Sequence, residues 1–282
     1  MPEEEATQIA RAASRDELND EFAWFDEHLM DITPGPSTRA RTSLYITGVY
    51  QWFEFDDWPP TETHSTPYYL VVDEHDRNGH LQRVAADGIS NCSSYRFDPD
   101  QPTPFWAKET VLDRSPFDNA SLEQQRNDML LFDTPVVEEP LALVGELSVM
   151  LYASADVADF DLYAKLLDVY PDGRAIFLTD GIMRARFREG WQQPDQVKPG
   201  DIQPYLVELW HLGHVLRTGH MLRLEIASSA LGRFDVNPCT GTNLATETRC
   251  QIANVTIQHN VTYPSHLILP VYHDDRLSNG GL

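Results

Sequence analysis

Lysine is almost missing from this chain: Lys108, Lys165 and Lys198 are the only three among 282 residues, and the other basic side chains are arginine. Basic groups total 21 against 44 acidic ones, a formal charge of −23. The densest basic cluster is Arg184, Arg186 and Arg188. A polyanion would meet a repulsive field with no basic footprint, so nucleic-acid binding is excluded as an expectation. An acidic, lysine-poor surface fits adaptation to high salt and fits a GC-rich genome equally well.

Long apolar runs are also lacking. The longest, from Leu141 to Ala155, is interrupted by Gly145 and Glu146 and falls short of the ~20 residues that cross a bilayer. Glu3, Glu4 and Glu5 occupy the region where a secretory signal is basic and then apolar, so a soluble cytoplasmic protein without membrane contact is expected. Cysteine is scarce too. Cys92, Cys239 and Cys250 make an odd set without C-x-x-C spacing, which argues against a disulfide scaffold and against a zinc ribbon. A Cys239–Cys250 bridge remains conceivable.

What is present begins with helical spacing. Ile9, Ala12, Ala13, Leu18, Phe22, Phe25 and Leu29 recur close to a 3.6 period, so residues 3–30 read as helix, with Ser14 or Asp16 capping a second segment and Pro34-Gly35-Pro36 ending it. Strand signals follow at Ser43–Val49 and Tyr68–Val72. Between them, Trp52 to Pro60 reads as an aromatic, acidic loop. Residues 98–128 lack periodicity and read as a long connection across a surface. From Met129 onward, short strands recur: 141–144, 147–153, 161–169, 176–178, 182–187, 205–210, 221–226, 250–258 and 266–272. Pro171-Asp172-Gly173 is a turn, because proline presets φ and glycine accepts a positive one. Many strands without a βαβ rhythm predict a mainly β fold, an antiparallel sandwich.

Candidate chemistry is thin. Gly88-Ile89-Ser90-Asn91-Cys92 is the nearest approach to a nucleophile elbow and lacks its second glycine. P-loop, G-x-G-x-x-G and H-E-x-x-H patterns are absent. His211, His214 and His220 fall close together and can ligate zinc, but no carboxylate or cysteine stands beside them in sequence, and structural roles are favoured. His220 is expected to fix the turn at Thr218-Gly219. Asp156, Asp159 and Asp161 offer calcium ligands without an EF-hand loop, and a solvated turn is the favoured reading. Arg184, Arg186 and Arg188 alternate as on one strand face, ready for an anion or, preferably, for neighbouring acids. No metal and no cofactor is expected. Trp52, Phe53, Phe55 and Trp58 form the one aromatic concentration. It can wall a substrate cleft or plug a loop onto the sandwich, and the sequence leaves both open.

These stretches together carry a resemblance. Asp168 to Ala175, Thr179 to Arg188, Gly219 to Ser229, Phe234 to Pro238 and Pro264 to Pro270 resemble, in order and spacing, the C-terminal jelly-roll domain of the CocE/NonD hydrolases. That group includes cocaine-esterase-like enzymes, α-amino-acid ester hydrolases and X-Pro dipeptidyl peptidases. Phe22 to Leu29 resembles the last helix of the family's α/β-hydrolase domain. Gly48 to Trp52 and Trp58-Pro59-Pro60 resemble the link, and Arg126 to Leu130 the start of the main sandwich. The resemblance implies a jelly-roll (galactose-binding-like) β-sandwich behind a short N-terminal helical segment: residues 1–36 a helical remnant, 37–136 linker strands and wrapping loops, 137–282 the main sandwich.

It further implies an accessory role beside a serine hydrolase of ester or X-Pro dipeptidyl-peptidase type, in a truncated or split enzyme, helping close the substrate cleft. The Ser-His-Asp triad lies N-terminal to that helix in the family, so no catalytic residue carries over. The expected partner is an α/β-hydrolase half or domain, or a second copy through the N-terminal helix. A free-standing module that binds carbohydrate, peptide or protein is the alternative, and a divergent hydrolase using Ser90 a third.

Overall fold

The computed structural model describes residues 11–30, 42–73, 78–85, 91–105, 118–273 and 275–278. The Ser90 motif and the Pro34-Gly35-Pro36 stop fall mainly or wholly outside them. Helix α1 spans Glu17–Leu29, and Asp16 caps it by accepting from the Asn19 N–H at 3.2 Å. That cap satisfies one of the free N–H groups at a helix start. A hairpin follows, β1 (Thr42–Ile46) against β2 (Gln51–Phe55). The remaining strands are β3 (Thr63–Val71), β4 (Gly79–Gln82), β5 (Cys92–Phe97), β6 (Leu130–Asp133), β7 (Leu141–Ala155) and β8 (Asp161–Val169), then β9 (Ala175–Arg184), β10 (Gln203–Leu216), β11 (Met221–Ala227), β12 (Ala253–Gln258) and β13 (His266–Tyr272). Two short helices, α2 (Ala120–Gln125) and α3 (Asp275–Ser278), complete the elements.

The hydrogen-bonded order is β5-β12-β7-β13-β3-β4-β6-β11-β8-β9, with β10 on the other edge of β7. Every pairing is antiparallel except β4 with β6. This mainly β architecture, led by a short helix, agrees with the expected fold class. Inward residues of the strands, among them Leu143, Val149, Leu151, Leu162, Leu166, Val207, Leu224, Val255 and Leu267, form one continuous core. Among the described residues, no helix is long and apolar enough to cross a membrane.

Two expected pairs of strands are single strands. The 141–144 and 147–153 segments are both β7, which runs straight through Gly145 at φ +143°. The 176–178 segment and the start of 182–187 are both β9, which passes through Gly181. A Cβ on Gly181 would lie 2.0 Å from the Glu208 carbonyl oxygen, so this glycine permits a close approach of β10 and does not turn the chain. The Trp52–Pro60 loop is likewise corrected: its first half is β2, paired from Thr42↔Phe55 to Ile46↔Gln51.

β8 is buried along its whole length, on both faces. Leu162, Ala164 and Leu166 enter the main core, while Tyr163 joins Phe105, Leu122 and Met129, the first two from the described parts of the 98–128 connection. The covered face also holds charge. Lys165 and Glu225, directly opposite on β8 and β11, form a 2.9 Å ion pair with side chains 1% and 0% exposed. Arg223 pairs with Asp133 at 2.7 Å and with Glu123 on α2, and Arg233 with Asp180 at 2.6 Å. The charge network thus fastens the long connection to the sheet.

Two buried groups tilt stability in opposite directions with pH. Burial, reinforced by Glu225, raises the Glu123 carboxyl to about 7 despite its partner Arg223. Burial lowers the His259 imidazole, 3.0 Å from the Ser93 hydroxyl, to about 4. Folded Glu123 keeps a proton that the unfolded chain has released, so its contribution is full below the unfolded pKa and is lost as pH rises towards 7. Folded His259 refuses a proton that the unfolded chain takes, so its contribution is full above the unfolded pKa and is lost as pH falls towards 4. The two slopes oppose each other across the overlap. Relative to wild type, Glu123→Gln should make stability climb with pH there, and His259→Asn should make it decline, each by up to about 1.4 kcal/mol per pH unit. Denaturant melts at half-unit pH steps check the pair, and parallel profiles for both variants and wild type would contradict it.

Candidate functional site

The β1–β2 hairpin brings three of the four aromatic candidates together. Phe55 is buried, and Phe53 and Trp58 pack half-buried against the same cluster of Ile46, Val49, Ala142, Val144, Val215, Tyr272 and Leu277. Phe55 meets the edge of Tyr272 at 5.8 Å. The Trp58 indole N–H donates to His211 Nδ1 at 3.3 Å, with the rings 5.5 Å apart. Trp52 stands on the opposite face of the strand, as period-two geometry requires. It packs on Tyr45 at 5.6 Å beneath the Arg15 guanidinium, 5.0 Å from its ring, and stays 39% exposed.

Arg15 therefore ties the start of α1 to the hairpin. It also donates to the Ser43 hydroxyl at 2.7 Å and pairs with Asp20 at 2.6 Å. Beyond that tether α1 has no buried residue. Leu18 (66%), Phe22 (65%) and Leu29 (71%) face solvent, and Trp24 and Phe25 are about half exposed. Five large apolar side chains are thus exposed within one thirteen-residue helix.

A polar clasp, exposed at Thr47 and buried at His214, His220 and Asp168, seats the hairpin on β10. The Thr47 N–H donates to the Gly213 carbonyl at 3.0 Å, and the Val215 N–H donates to the Thr47 carbonyl at 2.9 Å. Arg217 Nε donates to the Gly48 carbonyl at 2.7 Å. The Thr47 hydroxyl lies 2.8 Å from His214 Nδ1, and Asp168 sits between two imidazoles, 3.4 Å from His214 Nε2 and 2.8 Å from His220 Nδ1. Hydroxyl, imidazole and carboxylate stand in the order of a catalytic triad. The hydroxyl, however, donates to the Gly213 carbonyl at 3.1 Å, and the set works as a clasp between three strands. His220 does close the turn, its N–H donating to the Arg217 carbonyl at 3.0 Å. His211 faces outward, so the three histidines do not converge.

The acidic cluster is the clearest correction. Asp159 and Asp161 are 0% and 1% exposed, not solvated. Arg184 grips Asp161 with two 2.8 Å bonds, Arg186 grips Asp159 at 2.7 Å, and the Asn237 amide bridges both carboxylates at 3.0 and 2.8 Å. Arg184 ends β9 and Arg186 lies in a 3-10 turn, so the arginines do not share a strand face. Asp156 instead holds Asn254. These carboxylates are committed to arginine, asparagine and backbone donors, which accounts for the D-x-x-D-x-D and R-x-R spacings structurally. Sequence reasoning missed the partners Arg15, His211 and Tyr272 and the clasp on Asp168, because contacts spanning up to about two hundred residues leave no local signal.

Fold and site together define a mainly β module with an aromatic hairpin and, among the described residues, a helix whose apolar side chains stay exposed. Residues 33–268 match the X-Pro dipeptidyl-peptidase C-terminal non-catalytic domain, and the chain belongs to that family. It is 31% identical over 258 residues to cocaine esterase of Rhodococcus sp. (strain MB1 Bresler), covering 88% of this chain and 45% of that enzyme. Among solved structures, an α-amino acid ester hydrolase matches with a TM-score of 0.75 at 27% identity, over 88% of this chain and 43% of that one. An aminopeptidase from a marine sediment Thaumarchaeota archaeon matches with a TM-score of 0.77 at 24% identity, over 89% and 44%. The chain thus spans less than half the length of these relatives.

Proposed function

We propose that this chain serves as the non-catalytic module of a CocE/NonD-type serine hydrolase acting on esters or X-Pro peptides. A catalytic α/β-hydrolase unit, joined to it or separate, would supply nucleophile, base and oxyanion donors. The module would dock through α1 and help close the substrate cleft with the aromatic hairpin. In this reading Trp52 and Trp58 line the wall, and Phe53 and Phe55 anchor it from below. The observation that carries the proposal is the exposed Leu18–Phe22–Phe25–Leu29 face of α1. Such a face costs roughly 25 cal/mol per Å² while wet, and a hydrolase core is the partner that family membership supplies.

Mixing the chain with its catalytic unit should give a stable complex that hydrolyses a p-nitrophenyl ester. Phe25→Asp should weaken that complex at least tenfold, a charge in an apolar contact costing more than 1.4 kcal/mol, without changing the melting temperature of the sandwich. An inactive complex, or an unchanged affinity for Phe25→Asp, refutes the role of the helix. Fluorophosphonate labelling of the isolated chain would refute its non-catalytic character. A dimer broken by Phe25→Asp would point to self-association instead.

A further inference from the structure

Of the three lysines, Lys165 is buried among groups able to react with it. Lys165, Glu225 and Asn119 are 0%, 0% and 2% exposed. Lys165 Nζ lies 2.9 Å from Glu225 Oε1 and 3.3 Å from Asn119 Oδ1. The rings of Tyr163 and Phe105 stand 5.8 and 6.0 Å from the same nitrogen. Asn119 is the N-cap of α2, yet its side chain makes no capping bond and turns to Lys165 instead. Its backbone is anchored on both sides. The N–H donates to the Ala175 carbonyl at 2.8 Å, and the carbonyl accepts from the Leu122 and Glu123 N–H groups at 3.0 and 3.1 Å. Amine, carboxamide and a carboxylate in contact with the amine thus meet in one sealed place, which the hydrolase reading does not use.

We infer that Lys165 and Asn119 become joined by an intramolecular isopeptide bond, with Glu225 shuttling the protons. Asn119 Cγ is one carbonyl bond, ~1.2 Å, from Oδ1, so it lies within ~4.5 Å of Nζ. A shift of ~1 Å brings the two atoms to attacking distance. Glu225 takes a proton from the Lys165 ammonium and leaves a neutral amine in an apolar setting, the activated form of a lysine nucleophile. Nζ then bonds to Asn119 Cγ, and the carbonyl electron pair moves to Oδ1. Glu225 gives its proton to the former amide nitrogen and takes one from Nζ. The electron pair returns from Oδ1, the Cγ–Nδ2 bond breaks, and ammonia leaves. An ammonium, a carboxamide and a carboxylate have become a secondary amide, ammonia and a carboxylic acid, without oxidant or reductant. Two buried charges disappear, which favours the product where desolvated charge is costly.

The new bond would run from the middle of β8 to the start of α2. It would add a covalent tie where Arg223 already holds Glu123 of α2 and Asp133 of β6. The ion pair is the reactant, so freshly folded chain carries the free amine and stored chain the link.

The test keeps the freshly refolded full chain warm for several days and follows its intact mass and tryptic peptides. The mass should fall by one ammonia, trypsin should stop cutting after Lys165, and the peptide holding Asn119 should appear joined to the one holding Lys165. Linked chain should melt roughly 10 °C higher, because closing a loop of 46 residues restrains the unfolded state. Asn119→Ala keeps the Lys165–Glu225 pair and should hold its mass and melting temperature throughout. Loss of ammonia with trypsin still cutting at Lys165 would mean that Asn119 has closed on its own backbone, and it overturns the inference. A wild-type chain whose mass and peptides do not change overturns it as well.

Discussion

Replacing Lys165 by methionine should lower the unfolding free energy by about 3–5 kcal/mol, the cost of leaving a buried carboxylate without its partner. Lys165 Nζ sits 2.9 Å from Glu225 Oε1 and 3.3 Å from Asn119 Oδ1, with both charged side chains essentially sealed from solvent. Removing the ammonium leaves Glu225 in an apolar setting beside Glu123, so Glu225 must protonate or the covering segment must lift. The loss should consequently shrink as pH falls, since protonation relieves it. The double variant Lys165→Met with Glu225→Leu should return to within about 2 kcal/mol of wild type, because paired removal leaves no orphaned charge. Urea unfolding at two pH values measures all three proteins. A single variant within about 1 kcal/mol of wild type would mean that the pair is hydrated.

Gly48→Ala should unseat the aromatic hairpin while leaving the sandwich folded. Gly48 has φ +86°, and an added Cβ would fall 2.1 Å from the Val215 carbonyl oxygen. The backbone conformation alone costs an L-residue roughly 1–2 kcal/mol, and a clash against backbone cannot be relieved by a rotamer change. The hairpin must therefore move off β10, and the Thr47 and Arg217 bonds break with it. Trp52 and Trp58 would lose their placement, so under the proposed role a complex with the catalytic unit should lose at least tenfold in kcat/KM with far-ultraviolet circular dichroism unchanged. Tryptophan fluorescence should shift to the red as Trp58 leaves the Tyr272 cluster. Retained activity together with an unshifted emission spectrum would show that the hairpin does not shape the cleft.

Both sites expose the limits of linear reading. Local signals located α1, the Pro171–Gly173 turn and most of the strands, because they act over four to eight residues. They left the cap of α1 between Ser14 and Asp16, which the fold settled as Asp16. Gly173 does adopt φ +88°, as the turn requires. Gly145 and Gly181 mislead the same rule, since a glycine that ends a strand looks identical in one dimension to one that takes a positive φ within it, as Gly145 does, or lets a neighbouring backbone approach, as Gly181 does. The β2 strand was hidden for a related reason. Aromatic residues on both faces of the hairpin mask the alternation, and only its packing on the Tyr272 cluster separates Phe53 and Phe55 from Trp52.

The acidic pairs follow the same logic. Asp159 and Asp161 look solvated in a chain of charge −23, and the tertiary fold delivers Arg184, Arg186 and Asn237 to them from more than twenty residues away. Composition, strand rhythm and motif order determined that this is an acidic, mainly β member of a hydrolase-associated family, because local propensity and the order of short motifs persist in one dimension. Which carboxylates are buried, which glycines are contacts and which aromatics face outward were decided by the folded chain alone, because desolvation and pairing depend on neighbours that sequence distance does not encode.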